Sequence, residues 1–184
     1  LPPHMFSQWA LPAASKVFEQ TRYNLAGIIN QGVSMRINGD LPAGQPLRVT
    51  ARMKSLEETD GRARVLIEIS SGTAQQPDAV VATLHTTFIL ASQKKSGART
   101  QDDQTEWSPV GTWHTAGNDG FRFALLTGDF NPIHWIGLAG RLSPFKRKVL
   151  HGFGMFVRSY EILAAEGALK EIDVRFVKPV ALPS

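Results

Sequence analysis

The sequence predicts an α+β fold, and three observations predict it. Stretches of period-two apolar alternation crowd the first half, while the longest stretch with helical spacing lies in the second. The last strand candidate follows that helix alone, so there is no repeating strand–helix–strand series of the kind that builds a parallel sheet.

The elements are justified in chain order. Met5 and Trp9 lie one helical turn apart, but Pro12 is expected to stop any helix there because its ring blocks the next turn. Residues 27–36 and 47–55 are weaker strand candidates. In 63–71, Val65, Ile67 and Ile69 share one face while Arg64, Glu68 and Ser70 point away. In 81–90, Ala82, Leu84, Thr86, Phe88 and Leu90 line one face. Asn38-Gly39-Asp40, Asp60-Gly61 and Gln76-Pro77-Asp78 supply turn chemistry between these runs. Residues 93–109 lose apolar periodicity and read as an exposed polar linker. A short helix is expected over 119–126, capped by Asn118 and ended by Gly128. A long one is expected over 152–166, where Phe153, Phe156, Val157, Tyr160, Leu163 and Ala164 recur at helical spacing and Gly167 follows. Ile172, Val174 and Phe176 alternate in a final strand. A lone strand has no stability, so this one must pair with the first half, another chain or further residues.

Composition narrows the function. The chain has 184 residues and no cysteine, which excludes a disulfide framework, a thiolate nucleophile and any cysteine-based metal centre. A compact fold of this length buries roughly 70% of its unfolded surface and needs no staples. Its apolar runs are far too short to span a membrane. No membrane partner is expected, and the expected location is cytoplasmic. The net charge of +4 comes from 20 basic against 16 acidic side chains, and the pI is about 9.6. The dense basic run is Lys146-Arg147-Lys148, with Arg141 upstream. No nucleic-acid module accompanies it, so no nucleic-acid partner is expected. The run fits either a small phosphorylated ligand or a solvated loop.

The informative stretch is Phe123-Ala-Leu-Leu-Thr-Gly-Asp-Phe-Asn-Pro-Ile-His134. Pro132 fixes the backbone between Asp129 and His134, and Asn131 can close a local turn. Such a turn can aim a carboxylate and an imidazole at one water, where one group takes a proton and the other delivers one to a neighbouring carbon. Gly128 permits close approach. The same residues also make a good generic turn. The Asp–His spacing is not a zinc pattern and shows no third ligand, so no metal is expected. No strand–Ser–helix elbow supports a serine triad.

Thr127-Gly128-Asp129-Phe130-Asn131-Pro132-Ile133-His134 resembles the signature of the MaoC-like family, the (R)-specific enoyl-CoA hydratases and 3-hydroxyacyl dehydratases. The resemblance continues through Ala139, Phe145 and Val149-Leu150-His151-Gly152 at the start of the long helix. It implies a hot-dog fold, an antiparallel sheet wrapped around a long central helix, here as a partial double hot-dog. On that reading 1–92 is a degenerate N-terminal half, 93–109 the linker, and 110–184 the catalytic half, expected to be truncated at its C-terminus because the family continues with further strands. Pro12 would accompany loss of the first half's central helix. Ile136 stands where the family often has an acidic residue.

The resemblance also implies roles. Asp129 and His134 would act as an acid–base pair on one water, with Asn131 orienting it. The backbone N–H of Gly152 would hold the thioester oxygen, in keeping with the unpaired N–H groups and positive dipole of a helix start. Gly128, His151, Arg141, Lys146 and Arg147 are expected around the substrate, an acyl-CoA or acyl carrier protein thioester, with no cofactor. A homodimer is expected. His4, His85 and His114 read as surface or structural histidines. Trp107, Trp113 and Trp135 read as packing residues or as lining of an acyl channel. The alternatives are a non-catalytic hot-dog subunit that binds acyl chains, and a hot-dog acyl thioesterase.

Overall fold

The computed structural model describes residues 1–24, 27–59, 61–90 and 108–184. Of the linker expected over 93–109, residues 93–107, Trp107 among them, lie outside them, as does Asp60 of the second turn. Among the described residues the chain runs through helix α1 (Ser7–Phe18), strands β1 (Ile28–Ile37), β2 (Arg48–Thr59), β3 (Arg62–Gly72) and β4 (Val80–Ile89), helices α2 (Asp119–Thr127), α3 (Gly137–Leu142) and α4 (Gly152–Ala164), and strand β5 (Glu171–Arg175). The strands form one five-stranded antiparallel sheet in the order β2-β3-β4-β1-β5. The α+β organisation expected from the pattern is therefore present. The final strand finds its partner in the first half, with Val33 opposite Val174 and Met35 opposite Ile172.

Alternation sets which face the sheet buries. Val65, Ile67 and Ile69 on β3 and Ala82, Leu84 and Phe88 on β4 are all buried, while Arg64 is exposed and Glu68 only partly covered. The outer face carries polar chains instead, including Arg52 paired to Glu68 at 2.6 Å. Two helices share the inner face. α1 packs on β2 and β3, and α4 packs on β1 and β5. Between them Phe6 meets Phe156 edge-on at 5.9 Å, which closes the core between the helices.

Helix α1 corrects the expectation at Pro12. The helix runs through Pro12, and the first half keeps its helix. A proline inside a helix costs about 3 kcal/mol through the lost hydrogen bond and the ring clash. Against this, Ala10, Ala14, Val17 and Phe18 are buried on one stripe, and burial of larger apolar side chains contributes about 1.5–3 kcal/mol each. Tertiary burial outweighs the local penalty. Two smaller differences follow from capping. Asn118 stands at the start of α2 without a side-chain cap, and the Asp119 carboxylate instead accepts the Ala116 N–H at 3.0 Å. The long helix ends at Ala164, two residues before the expected end at 166.

Candidate active site

The motif is built by short-range bonds between the end of α2 and the start of α4. Helix α2 stops at Gly128, whose φ of 77° is the left-handed conformation that glycine adopts without strain. The Thr127 hydroxyl donates to the Phe123 carbonyl at 2.8 Å. The Asn131 N–H donates to Asp129 Oδ1 at 3.2 Å, and the Ile133 N–H to Asn131 Oδ1 at 3.4 Å. Asn131 thus caps the 3-10 turn Pro132–His134. Gly120 sits so close to this turn that a Cβ there would lie 1.8 Å from the His134 carbonyl oxygen, so α2 can approach only with glycine at that position.

His134 and His151 define the chemistry. His134 Nδ1 lies 2.7 Å from the Val149 carbonyl, which can only accept, so Nδ1 carries the proton and Nε2 keeps the lone pair when the ring is neutral. By the same logic His151 Nε2 donates to the Asp129 backbone carbonyl at 3.0 Å, leaving Nδ1 buried without a partner. The two rings stack with centroids 3.7 Å apart, and Phe123 tilts against His151 at 5.1 Å. Burial lowers the His134 pKa below its ordinary value. His151 is pushed down to about 4, first by burial and then by the neighbouring His134. Both are therefore neutral at neutral pH, beside the partly exposed Asp129 carboxylate.

One donor atom each from Asp129, His134 and His151 lies within 4.8 Å of the others. His151 is the third group that sequence spacing did not reveal. Three such groups match the ligand count of a catalytic zinc site. The stacking argues against a shared ion, because a metal bonds in the plane of each ring and these planes lie one above the other at 27°. Proton transfer fits the arrangement better.

Asp129, Asn131, His134 and Gly152 all line a cleft of about 490 Å³. Its far wall comes from the first half: Leu11, Ala14 and Phe18 of α1, with Ile28, Asn30 and Leu84 from the sheet. Phe145, Phe153 and Phe176 add apolar surface, and Lys178 is the cation among the lining residues. Arg141, Lys146 and Arg147 are exposed and outside this lining. Lys148 donates to the Gly117 carbonyl at 2.6 Å. His151 stands behind the site rather than on its surface. Trp113 packs beneath Arg158 and Trp135 bonds the Phe130 carbonyl; neither lines the cleft. His4 pairs with Glu161 and stacks on Tyr160, and His85 bonds Ser34, both away from the cleft, while His114 is exposed. Sequence reasoning missed Asn30, Lys178 and the α1 residues. The bulge described below, invisible without the register, is the signal for Asn30.

The model of the MaoC like domain matches residues 97–184. The sequence has no significant match among curated proteins. Among solved structures, the chain is similar to a MaoC-like dehydratase with a TM-score of 0.78 at 17% identity, covering 98% of this chain and 69% of that one. It is similar to the peroxisomal multifunctional enzyme type 2 of Drosophila melanogaster with a TM-score of 0.70 at 24% identity, covering 98% of this chain and 33% of that one. A Mycobacterium tuberculosis protein with a double hot-dog fold matches with a TM-score of 0.55 at 10% identity, over 99% of this chain and 66% of that one. The fold is thus the α+β hot-dog. Among the described residues no helix is long and apolar enough to cross a membrane.

Proposed function

We propose, from the match of residues 97–184 to the MaoC like domain, that the chain adds water to trans-2-enoyl thioesters or removes it from (R)-3-hydroxyacyl thioesters. The observation that carries this reading is the convergence of Asp129, His134 and Gly152 on one apolar cleft. The division into a first half over 1–92 and a catalytic half over 110–184 belongs to the same proposal.

The chemistry follows from the proton inventory. The Asp129 carboxylate holds a water by hydrogen bond, and the free Nε2 of His134 takes its proton as the oxygen bonds to C3. The C2–C3 π pair moves towards the thioester, leaving negative charge on its carbonyl oxygen. The Gly152 N–H, at the first position of α4 and without an intrahelical partner, meets that oxygen. The proton on His134 then passes to C2. Dehydration runs the same steps backwards. Asn131, whose Oδ1 accepts the Ile133 N–H, would orient that water through its amide N–H groups. The acyl chain follows the apolar wall towards α1, and the thioester carrier leaves past Lys178.

The test is hydration of crotonyl-CoA and of a longer trans-2-enoyl-CoA, followed by loss of the conjugated enoyl-thioester absorbance. Asp129→Asn is run alongside. Turnover in the unchanged protein that disappears in the variant supports the reading. Release of free thiol instead of hydration would replace it with a thioesterase.

A further inference from the structure

Strand β1 contains an irregularity that bears on the site. Asn30 pairs with Thr86 on β4, but the next pairing is Gly32 with His85, so Gln31 is an extra residue. Side chains alternate along a strand, and one added residue reverses the alternation beyond it. Downstream, Val33 and Met35 are buried on the core face. Upstream, Ile28 and Asn30 take the half-buried positions. Without the bulge a core-phase position would fall on residue 31. The irregularity therefore puts the Asn30 carboxamide on the cleft side of the sheet, in a mainly apolar wall that also includes Ser15, Gln31 and Thr86.

The carboxamide is oriented by its own strand. The Gly32 N–H donates to Asn30 Oδ1 at 3.2 Å, which assigns the oxygen to that side and leaves the NH₂ group on the other. That NH₂ faces the start of α4: a Cβ on Gly152 would lie 3.0 Å from Asn30 Nδ2. Glycine at 152 lets the amide of Asn30 approach the first turn of the helix this closely, with the Phe176 ring at the same 3.0 Å on that side. Both residues line the cleft that holds Asp129 and His134.

We propose that Asn30 Nδ2–H is a second hydrogen-bond donor to the thioester carbonyl oxygen, so that the oxyanion cradle joins a side chain of the first half to the Gly152 N–H of the second. This assignment deepens the reading under Proposed function and rests on it. No covalent step is added. The amide donates a hydrogen bond that strengthens as charge moves from the C2–C3 bond onto the oxygen, and relaxes when the proton reaches C2. It also explains why a degenerate half with no acid–base motif would still be needed for turnover.

The decisive variant is Asn30→Asp. A carboxylate oxygen can still accept the Gly32 N–H and keep the bulge, but the donor is lost and a negative charge stands beside the developing oxyanion. Removing one such donor typically lowers kcat by about 10²–10³-fold. The expected result is a kcat for crotonyl-CoA lowered by about that factor in Asn30→Asp, with an unchanged melting temperature and a KM changed far less. A second readout uses a bound 2,4-dienoyl-CoA in the inactive Asp129→Asn background, where polarisation of the carbonyl shifts its absorbance to longer wavelength. Asn30→Ala added to that background should reduce the shift.

Full kcat in a folded Asn30→Asp protein would overturn the assignment and leave Asn30 as a clip for the bulge. So would an unchanged dienoyl shift. Failure of the function itself reads differently: the unchanged protein would hydrate neither enoyl-CoA, and the assignment would fall with it.

Discussion

The two walls of the cleft are made in different ways. The first-half wall is regular: α1 and the sheet, held by long ladders and a continuous apolar core in which Val33, Val65 and Ile67 have no exposed surface. Among the described residues it contributes no ionisable side chain to the cleft. The second-half wall, between α2 and α4, is mostly turns and short helices stitched by side-chain–backbone bonds over two to four residues. It carries Asp129 and His134. On the proposed reading, shape comes from one wall and proton chemistry from the other. The inner face of the sheet tolerates little misfit because its residues are packed against the helices, whereas the turn region holds polar groups that packing alone could not aim.

This contrast makes stability and turnover separable. The largest effect should come from the turn wall. His134→Gln or Asp129→Asn should lower the hydration rate by roughly 10²–10⁴-fold, and thermal melting should stay close to that of the unchanged protein. A variant that loses its fold along with its rate would mean that the turn wall also holds the structure. On the core side, Phe156→Ala removes a fully buried ring and should cost about 3–5 kcal/mol in chemical denaturation. Its rate per folded molecule should change far less. A collapse of kcat in protein still folded at low temperature would erase the distinction between the walls.

An intermediate effect links the histidine pair to pH. The unfolded chain binds a proton on His151 near 6.5, while the folded protein holds that value down to about 4. Between these values the unfolded state carries more protons, so stability rises with pH. The contribution is complete above about pH 6.5 and is lost as pH falls towards 4. Melting temperatures across this window should fall more steeply for the unchanged protein than for His151→Gln, which can keep an N–H directed at the Asp129 carbonyl. Parallel curves would show that His151 does not titrate this way. Because burial lowers His134 as well, the acid limb of kcat/KM should lie below the ordinary histidine value.

Much of the core was legible because local pattern and tertiary burial agree. The alternating faces of 63–71 and 81–90 are the buried faces of β3 and β4, and the helical spacing after Gly152 is the buried stripe of α4. The positions of Asp129, Asn131 and His134 were legible for a related reason: the turn that joins them is closed by their own neighbours. What escaped reading depends on partners distant in sequence. Helix α1 survives Pro12 only because the sheet covers its apolar stripe. The place of Asn30 in the cleft depends on an extra residue that exists only relative to β4. His151 meets Asp129 and His134 through the return of the chain at Val149, which no spacing rule encodes.

The smallest expected effect concerns the carrier end of the substrate. Sequence clustering favours Arg141, Lys146 and Arg147 as phosphate contacts, whereas the cleft is lined by Lys178. All four are exposed, so each contact is screened by salt and is worth little more than a few-fold in KM. An N-acetylcysteamine thioester offers the same acyl group without phosphates. Lys178→Glu should therefore raise KM for the CoA substrate several-fold and leave the N-acetylcysteamine substrate unchanged, with the difference fading at high salt. Paired reversal of Lys146 and Arg147 gives the comparison its second arm. A larger rise there than at Lys178 would place the carrier over α3 and the basic run; no rise in either would leave substrate binding to the apolar wall.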